Sequence, residues 1–376
     1  MASTPATSAP LGGTRPPMPP LSSEVLALLP AADEMPRCAV HAADIGVDPG
    51  GTSICADAVA LVEVPLPWPK PVFAGGLLEG FMPMTDLAVG PTRVLAAVPT
   101  ASYDTRGAVS GRPGALAGDT SHTDTVRVAL HCRTGAGTKS YQFAADGAAG
   151  LRLLFAHLAR RMPTEPIPEH AGFVLTGVGR DERAVLICTQ GSHDVCCGSE
   201  GTRLAADFEA VLRAYSSQSD DVADNLPTST GQVTVYRVSH TGGHRFAPTA
   251  MTLPDGRMWA GIEAGELAAV LDRTADAAVM APRCRGWWGA PTGPPQVAER
   301  AVFGHVGWPL EDMAREIRFR SNGTSWDVEV SAAEAERTWT VSVAASRTVP
   351  TIACRTLGGL PAKPATEFEV TELRES

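Results

Sequence analysis

The sequence predicts a mixed protein built from α/β and α+β segments, and three observations predict it. Residues 184–187, Ala-Val-Leu-Ile, form a short, continuously apolar run, the pattern of a buried strand. Residues 202–215 set Leu204, Phe208, Val211, Leu212 and Tyr215 on one face of a helix. Residues 233–239 are a second apolar run. Strand, helix and strand in that order favour a right-handed crossover with the two strands parallel.

Taken in order, residues 1–36 carry Pro10, Pro16, Pro17, Pro19 and Pro20 among small polar residues, which predicts a disordered tail with one short helix near 23–29. Residues 38–51 are rich in Gly and Asp and read as loop. Strands are expected at 59–64, 93–98, 125–130 and 140–143, separated by turn-rich spacers. Residues 148–161, with Leu151, Leu154, Phe155 and Leu158 on one face, read as a helix. These elements define an amino-terminal α+β domain over residues 37–165. Pro163, Pro166 and Pro168 then make a linker, since none of them continues a helix or sits in a central strand.

A second domain is expected over residues 170–280. After its strand, helix and strand, runs at 249–253 and 257–262 flank Pro254-Asp255-Gly256, a hairpin signal, and 266–271 closes the unit as a helix. Strand, helix, strand, hairpin, helix is the order of a thioredoxin-like layer. Residues 284–376 read as a carboxyl-terminal α+β lobe with a helix at 297–302 and strands at 325–331 and 338–344. Trp287 and Trp288, next to Gly289, are expected to pack against a neighbouring domain.

With 376 residues, the chain has room for two or three cores. A formal charge of −10 argues against a nucleic-acid partner and offers no polybasic patch to an acidic membrane. No apolar run approaches the roughly 20 residues that span a bilayer. The amino terminus lacks the basic flank and apolar length of a signal peptide, so a cytoplasmic location is expected. Eight cysteines are too sparse for a disulfide scaffold and should stay reduced. Cys38, Cys55, Cys132, Cys284 and Cys354 lie scattered and read as small apolar side chains.

The remaining cysteines carry the chemistry. Parallel strands share an end, so Cys188, ending the first, and His240, following the second, should both leave the sheet at its carboxyl edge. The loops beyond them bring Cys196, Cys197 and His244 to the same place. Two thiolates and two imidazoles suit either a structural zinc ion or a [2Fe-2S] cluster. The eight residues between Cys188 and Cys197 form a roomy loop rather than a zinc knuckle, which leans toward the cluster. A Rieske centre differs, because each of its loops contributes one cysteine and one histidine. Gly242 and Gly243 supply positive φ so that both imidazoles turn inward. His193 reads as a turn residue, and local chemistry leaves the choice between Cys196 and Cys197 open. A thiol-dependent reductase is disfavoured by the lack of a Cys-x-x-Cys pair at a helix start.

The loop Cys188-x8-Cys197-Gly198 with Asp194 before its cysteines, followed by His240-Thr-Gly-Gly-His244-Arg245-Phe246, resembles the sucrase/ferredoxin-like family of bis-histidinyl thioredoxin-like ferredoxins. The resemblance extends over roughly residues 38–300, through Cys38 and Gly50-Gly51-Thr52 at its start. It implies a thioredoxin-like ferredoxin domain, a [2Fe-2S] cluster held by Cys188, Cys197, His240 and His244, and Cys196 as an unligated neighbour. Asp194, Cys196 and Arg245 are then expected around the cluster, Arg245 as a donor that stabilises its reduced form. The function implied is electron transfer or a redox response, with an unidentified partner protein. A zinc-stabilised interaction module using the same four residues is the alternative. An imidazole whose remaining N–H reaches water would link reduction to protonation. No paired carboxylates suited to a glycosidase accompany the motif.

Overall fold

The computed structural model describes residues 21–104, 109–110, 125–168, 171–191, 195–217 and 232–376. Two short helices come first, α1 (Ser23–Ala27), capped by the Ser22 side chain, and α2 (Cys38–Asp44). The next elements are β1 (Ala58–Glu63), β2 (Met84–Leu87), β3 (Gly90–Asp104), β4 (Val109–Ser110), β5 (Thr125–Arg133), β6 (Thr138–Asp146), α3 (Gly147–Leu158) and β7 (Phe173–Arg180). The central stretch runs β8 (Arg183–Cys188), α4 (Thr202–Ser217), β9 (Gln232–Val238), β10 (Thr249–Leu253), β11 (Arg257–Ala260), α5 (Ala264–Leu271), α6 (Ala277–Met280) and β12 (Cys284–Trp287). The chain ends with α7 (Pro294–Val306), β13 (Glu316–Ser321), β14 (Ser325–Ala332), β15 (Arg337–Thr351) and β16 (Lys363–Glu375).

One large mixed sheet holds β1 to β12, in the order β12-β11-β10-β8-β9-β3-β1-β5-β6-β7, with β2 and β4 also paired to β3. It therefore crosses the expected boundary between 37–165 and 170–280. The reason is visible in the pairing. Beyond the proline linker β7 returns antiparallel to β6, whereas β9 docks antiparallel on β3, from Ala97 opposite Val238 to Asp104 opposite Gln232. The linker is a loop between elements of one sheet. The boundary near 284 also fails to part the sheet, because β12 is its edge strand, paired with β11.

One face of the sheet buries Val59, Leu61, Leu95, Leu186 and Val238 together with Trp287 and Trp288. The two tryptophans pack on the sheet to which Trp287 itself belongs through β12, not on a separate neighbouring domain. The opposite face divides: around β1, β3, β5 and β6 it is covered by α3, and around β8 and β9 by α4, α5 and α7. Full burial of side chains such as Phe208, Trp259 and Phe303 is worth about 1.5–3 kcal/mol each. Helix α7 also packs against the second sheet, an antiparallel meander β13-β14-β15-β16, so the carboxyl-terminal sheet joins the same core.

Residues 38–44, expected as loop, are helical. Cys-Ala-Val-His-Ala-Ala-Asp is rich in the best helix former, and the helix packs on the turn that carries His244. Of the expected amino-terminal tail, residues 1–20 lie outside the described residues, and 21–36 include α1, with Val25 buried. Among the described residues no helix is long and apolar enough to cross a membrane.

Candidate metal centre

Strands β8 and β9 are parallel, with Cys188 opposite Val238. The two strands therefore end level, and the chain beyond β9 reaches His240 after a single residue. Ser239 is fixed to the neighbouring strand: its N–H donates to the Ala96 carbonyl at 2.9 Å and its hydroxyl accepts from the Ala96 N–H at 3.2 Å. Cys188, Cys197, His240 and His244 line one cavity of about 270 Å³ together with Phe73, Arg93 and Gln190. The expected convergence of these four side chains is what the fold produces.

Cys197 opens a π-helical turn, Cys197–Gly201, that leads into α4. Such turns are uncommon and frequent at functional sites. Gly201 is needed there, because a Cβ at that position would stand 1.9 Å from the Cys188 carbonyl oxygen. Helix and strand approach so closely that both sulfurs reach one cavity. Cys188 and Cys197 are 3% and 4% exposed. The Cys197 side chain holds the Cys188 thiol down to about 6; the backbone N–H groups of Thr241 and Gln190 act in the same direction, against burial.

The histidine turn is shaped by Gly242 and Gly243, at φ 71° and 68°. His240 sets its Nδ1 2.7 Å from the Ser239 hydroxyl, and its ring meets Phe73 edge to face at 5.4 Å between centroids. His244 sets its Nδ1 3.2 Å from Sγ of Cys38.

Two arginines flank the cavity. Arg285, 1% exposed, donates to the carbonyls of Thr52 and Gly242 and to the Thr52 hydroxyl. Burial lowers its guanidinium to about 10, and the nearby Cys188 and Cys197 sulfurs oppose that shift. Arg93, also lowered by burial, donates to the His240 carbonyl at 3.3 Å. Sequence reasoning passed over both, since a lone Arg in a strand carries no local signal of its partner. Arg245, the arginine singled out from sequence, donates instead to Thr351 Oγ1 and lies over its own neighbour Phe246 at 4.7 Å. Residues 192–194, with His193 and Asp194, lie outside the described residues.

Cys196 packs with Cys38 and Cys354. Its sulfur lies 3.2 Å from that of Cys354, which is 3.5 Å from that of Cys38, and all three sulfurs fall within 4.8 Å of one another. Three thiols so placed allow metal binding. The Cys38 thiol, with help from the Ala39 N–H, Cys354 and Arg37, lowers Cys196 to about 5 against burial. Cys38 and Cys354 are therefore not the isolated apolar side chains that their scatter in sequence suggested. Cys132 and Cys284 are buried in the cores, as small apolar residues would be, whereas Cys55 is exposed.

A family model described as Sucrase/ferredoxin-like matches residues 115–286 and supports placing that segment in the sucrase/ferredoxin-like family. The matched segment contains Cys188, Cys196, Cys197, His240, His244 and Arg285, and leaves Cys38 and Cys354 outside. No curated protein and no solved structure matches the chain.

Proposed function

We propose that the chain is an electron-transfer or redox-responsive protein whose cavity residues Cys188, Cys197, His240 and His244 hold a [2Fe-2S] cluster. The observation that carries this reading is the meeting of two buried thiols and two imidazoles in one cavity, at the shared carboxyl edge of β8 and β9. The strand order β11-β10-β8-β9, with only β8 and β9 parallel, supports a thioredoxin-like ferredoxin unit.

The donor set fits the group. Ser239 and Cys38 occupy the Nδ1 side of the two rings, which orients Nε2 as the ligand atom of each. When bound, such a cluster supplies a one-electron couple. Imidazoles in place of two thiolates remove two negative charges, which sets the potential above that of four-cysteine ferredoxins. Arg93 and Arg285 add positive charge beside the cavity and favour the reduced form. Because Ser239 and Cys38 cover the Nδ1 atoms, proton exchange at either ring runs through these side chains. The mouth formed by Pro71, Phe73 and Pro83 is where a redox partner protein would dock. A cytoplasmic setting, which keeps thiols reduced, suits the eight cysteines.

The test is electron paramagnetic resonance of the dithionite-reduced protein beside His240→Cys and His244→Cys variants, with iron and sulfide determined. Equimolar iron and sulfide with altered spectra in both variants is the expected result. Unchanged spectra in both would overturn the ligand assignment. A colourless protein with one zinc lost on Cys188→Ser would replace the cluster with the zinc-stabilised module.

A further inference from the structure

We propose that Cys38, Cys196 and Cys354 form a second site, beside the cavity and joined to it by the contact between Cys38 and His244, for a thiophilic d10 cation of the zinc or copper(I) class. The three sulfurs come from distant parts of the chain: the first residue of α2, the helical residue just before Cys197 and the loop after β15. Cys196 and Cys354 are 158 residues apart and Cys38 and Cys354 are 316, yet their sulfurs lie 3.2 and 3.5 Å from each other. Packing alone does not require three thiols to point at one another, since any small apolar side chain would fill the space.

The surroundings are those of a bound thiolate group. Cys38 and Cys196 are fully buried, with Ile352 and Ala362 completing an apolar shell. The Cys38 backbone N–H points at Sγ of Cys354 at 3.2 Å, as N–H groups do around metal thiolates. Arg37, paired with Glu200 at 2.9 Å, brings a cation to the edge of the group.

The donor set selects the ion. Three sulfurs without a carboxylate exclude calcium and magnesium, which take oxygen ligands, and favour the soft end of the transition series. Copper(I) is satisfied by three thiolates in a plane. Zinc takes a fourth ligand, which water supplies on the half-exposed Cys354 side. In either case the metal replaces the thiol protons, which leave to solvent, and no electron is transferred. The bound ion ties the amino-terminal helix and the carboxyl-terminal strands to the helical turn that carries Cys197.

The proposal does not rest on the cluster reading: Cys38 touches His244, but Cys354 belongs to this site alone and Cys188 to the cavity alone, so their variants separate the two. The full chain, purified in reductant, is analysed for iron, zinc and copper and then titrated with Co2+ or with Cu+ against a chromogenic chelator. One zinc or copper per chain in addition to iron, or one equivalent of Co2+ with a thiolate-to-cobalt charge-transfer band, is expected. Cys354→Ser should lose that equivalent and keep its iron, whereas Cys188→Ser should lose iron and keep it. The zinc and copper arms identify the ion. Cys354 is only partly buried, and thermal melting verifies that its variant folds; the cobalt titration of the unaltered chain needs no variant. An unaltered chain that takes up no second metal, or a Cys354→Ser chain with unchanged metal content, overturns the proposal. So does a Cys196–Cys354 disulfide trapped in place of bound metal.

Discussion

Sγ of Cys38 lies 3.2 Å from Nδ1 of His244, although 206 residues separate them. The contact links helix α2 to the histidine turn and makes the amino-terminal segment part of the site. A ligating imidazole is held by whatever grips its other nitrogen, and loss of such a grip weakens metal binding about 10- to 100-fold.

Cys38→Ala should therefore release iron to a chelator about 10- to 100-fold more readily than the unaltered chain. Cys38→Ser, which restores a hydroxyl to Nδ1, should recover much of the loss. Cys354→Ser leaves the His244 contact in place and serves as the control. Equal iron release from all four proteins would remove Cys38 from the support of His244.

Gly243→Ala should disturb the same turn from the other side. Its φ of 68° costs an alanine about 1–2 kcal/mol. A Cβ there would also stand 2.6 Å from Cζ of the buried Arg285, whose guanidinium is held by Thr52 and Gly242 and would have to shift. On the proposed ligation the expected outcome is reduced cluster content with a lowered melting temperature, while Gly265→Ala, where a Cβ meets nothing within 4 Å, leaves both unchanged. Full cluster content in Gly243→Ala would mean that the turn tolerates a shift of Arg285.

The meeting of Cys188, Cys197, His240 and His244 at one cavity was legible because strand ends and loop spacing are local properties: an apolar run stopping at Cys188 and another stopping before His240 define a common edge. The roles of Arg285, Arg93, Cys38 and Cys354 were not, because each depends on a contact made across the sheet or between the chain's ends. The same limit governed the fold. Most central strands were readable from their apolar runs, but β7 and β16 alternate on half-exposed faces, and β12 is a four-residue edge held by pairing to β11. Proline-rich residues 162–168 looked like a domain boundary because a linker and a loop share one composition; only strand pairing distinguishes them.

Glu299→Gln tests the attachment of the carboxyl-terminal segment to the large sheet. Arg257 on β11 is fully buried and holds Glu299 of α7 through two bonds of 2.8 and 3.0 Å and Glu311 at 2.6 Å; Arg315 adds a second cation to both carboxylates. Two cations and two anions balance inside the core. Removing one carboxylate leaves an uncompensated buried charge, which destabilises by about 3–5 kcal/mol. Urea unfolding followed by tryptophan fluorescence should register that loss in a single transition. A loss below about 1 kcal/mol would mean that water reaches the cluster.

His131 sets the acid limit of stability. It lies in β5, 1% exposed, between Val59 of β1 and Ser140 of β6, and neither ring nitrogen has a hydrogen-bond partner. Burial holds its imidazole down at about 4, only partly offset by the Glu182 carboxylate. In the unfolded chain it titrates near 6.5. Above that pH the ring is neutral in both states and contributes no pH dependence. Between about 6.5 and 4 the unfolded chain binds a proton that the folded chain refuses, so stability falls as pH falls, by an amount approaching roughly 3 kcal/mol at the lower end. Chemical denaturation at a series of pH values across this window should give a slope of up to one proton, and His131→Leu, which keeps the volume and removes the titrating ring, should flatten it. The same slope in both proteins would assign the acid sensitivity to other groups.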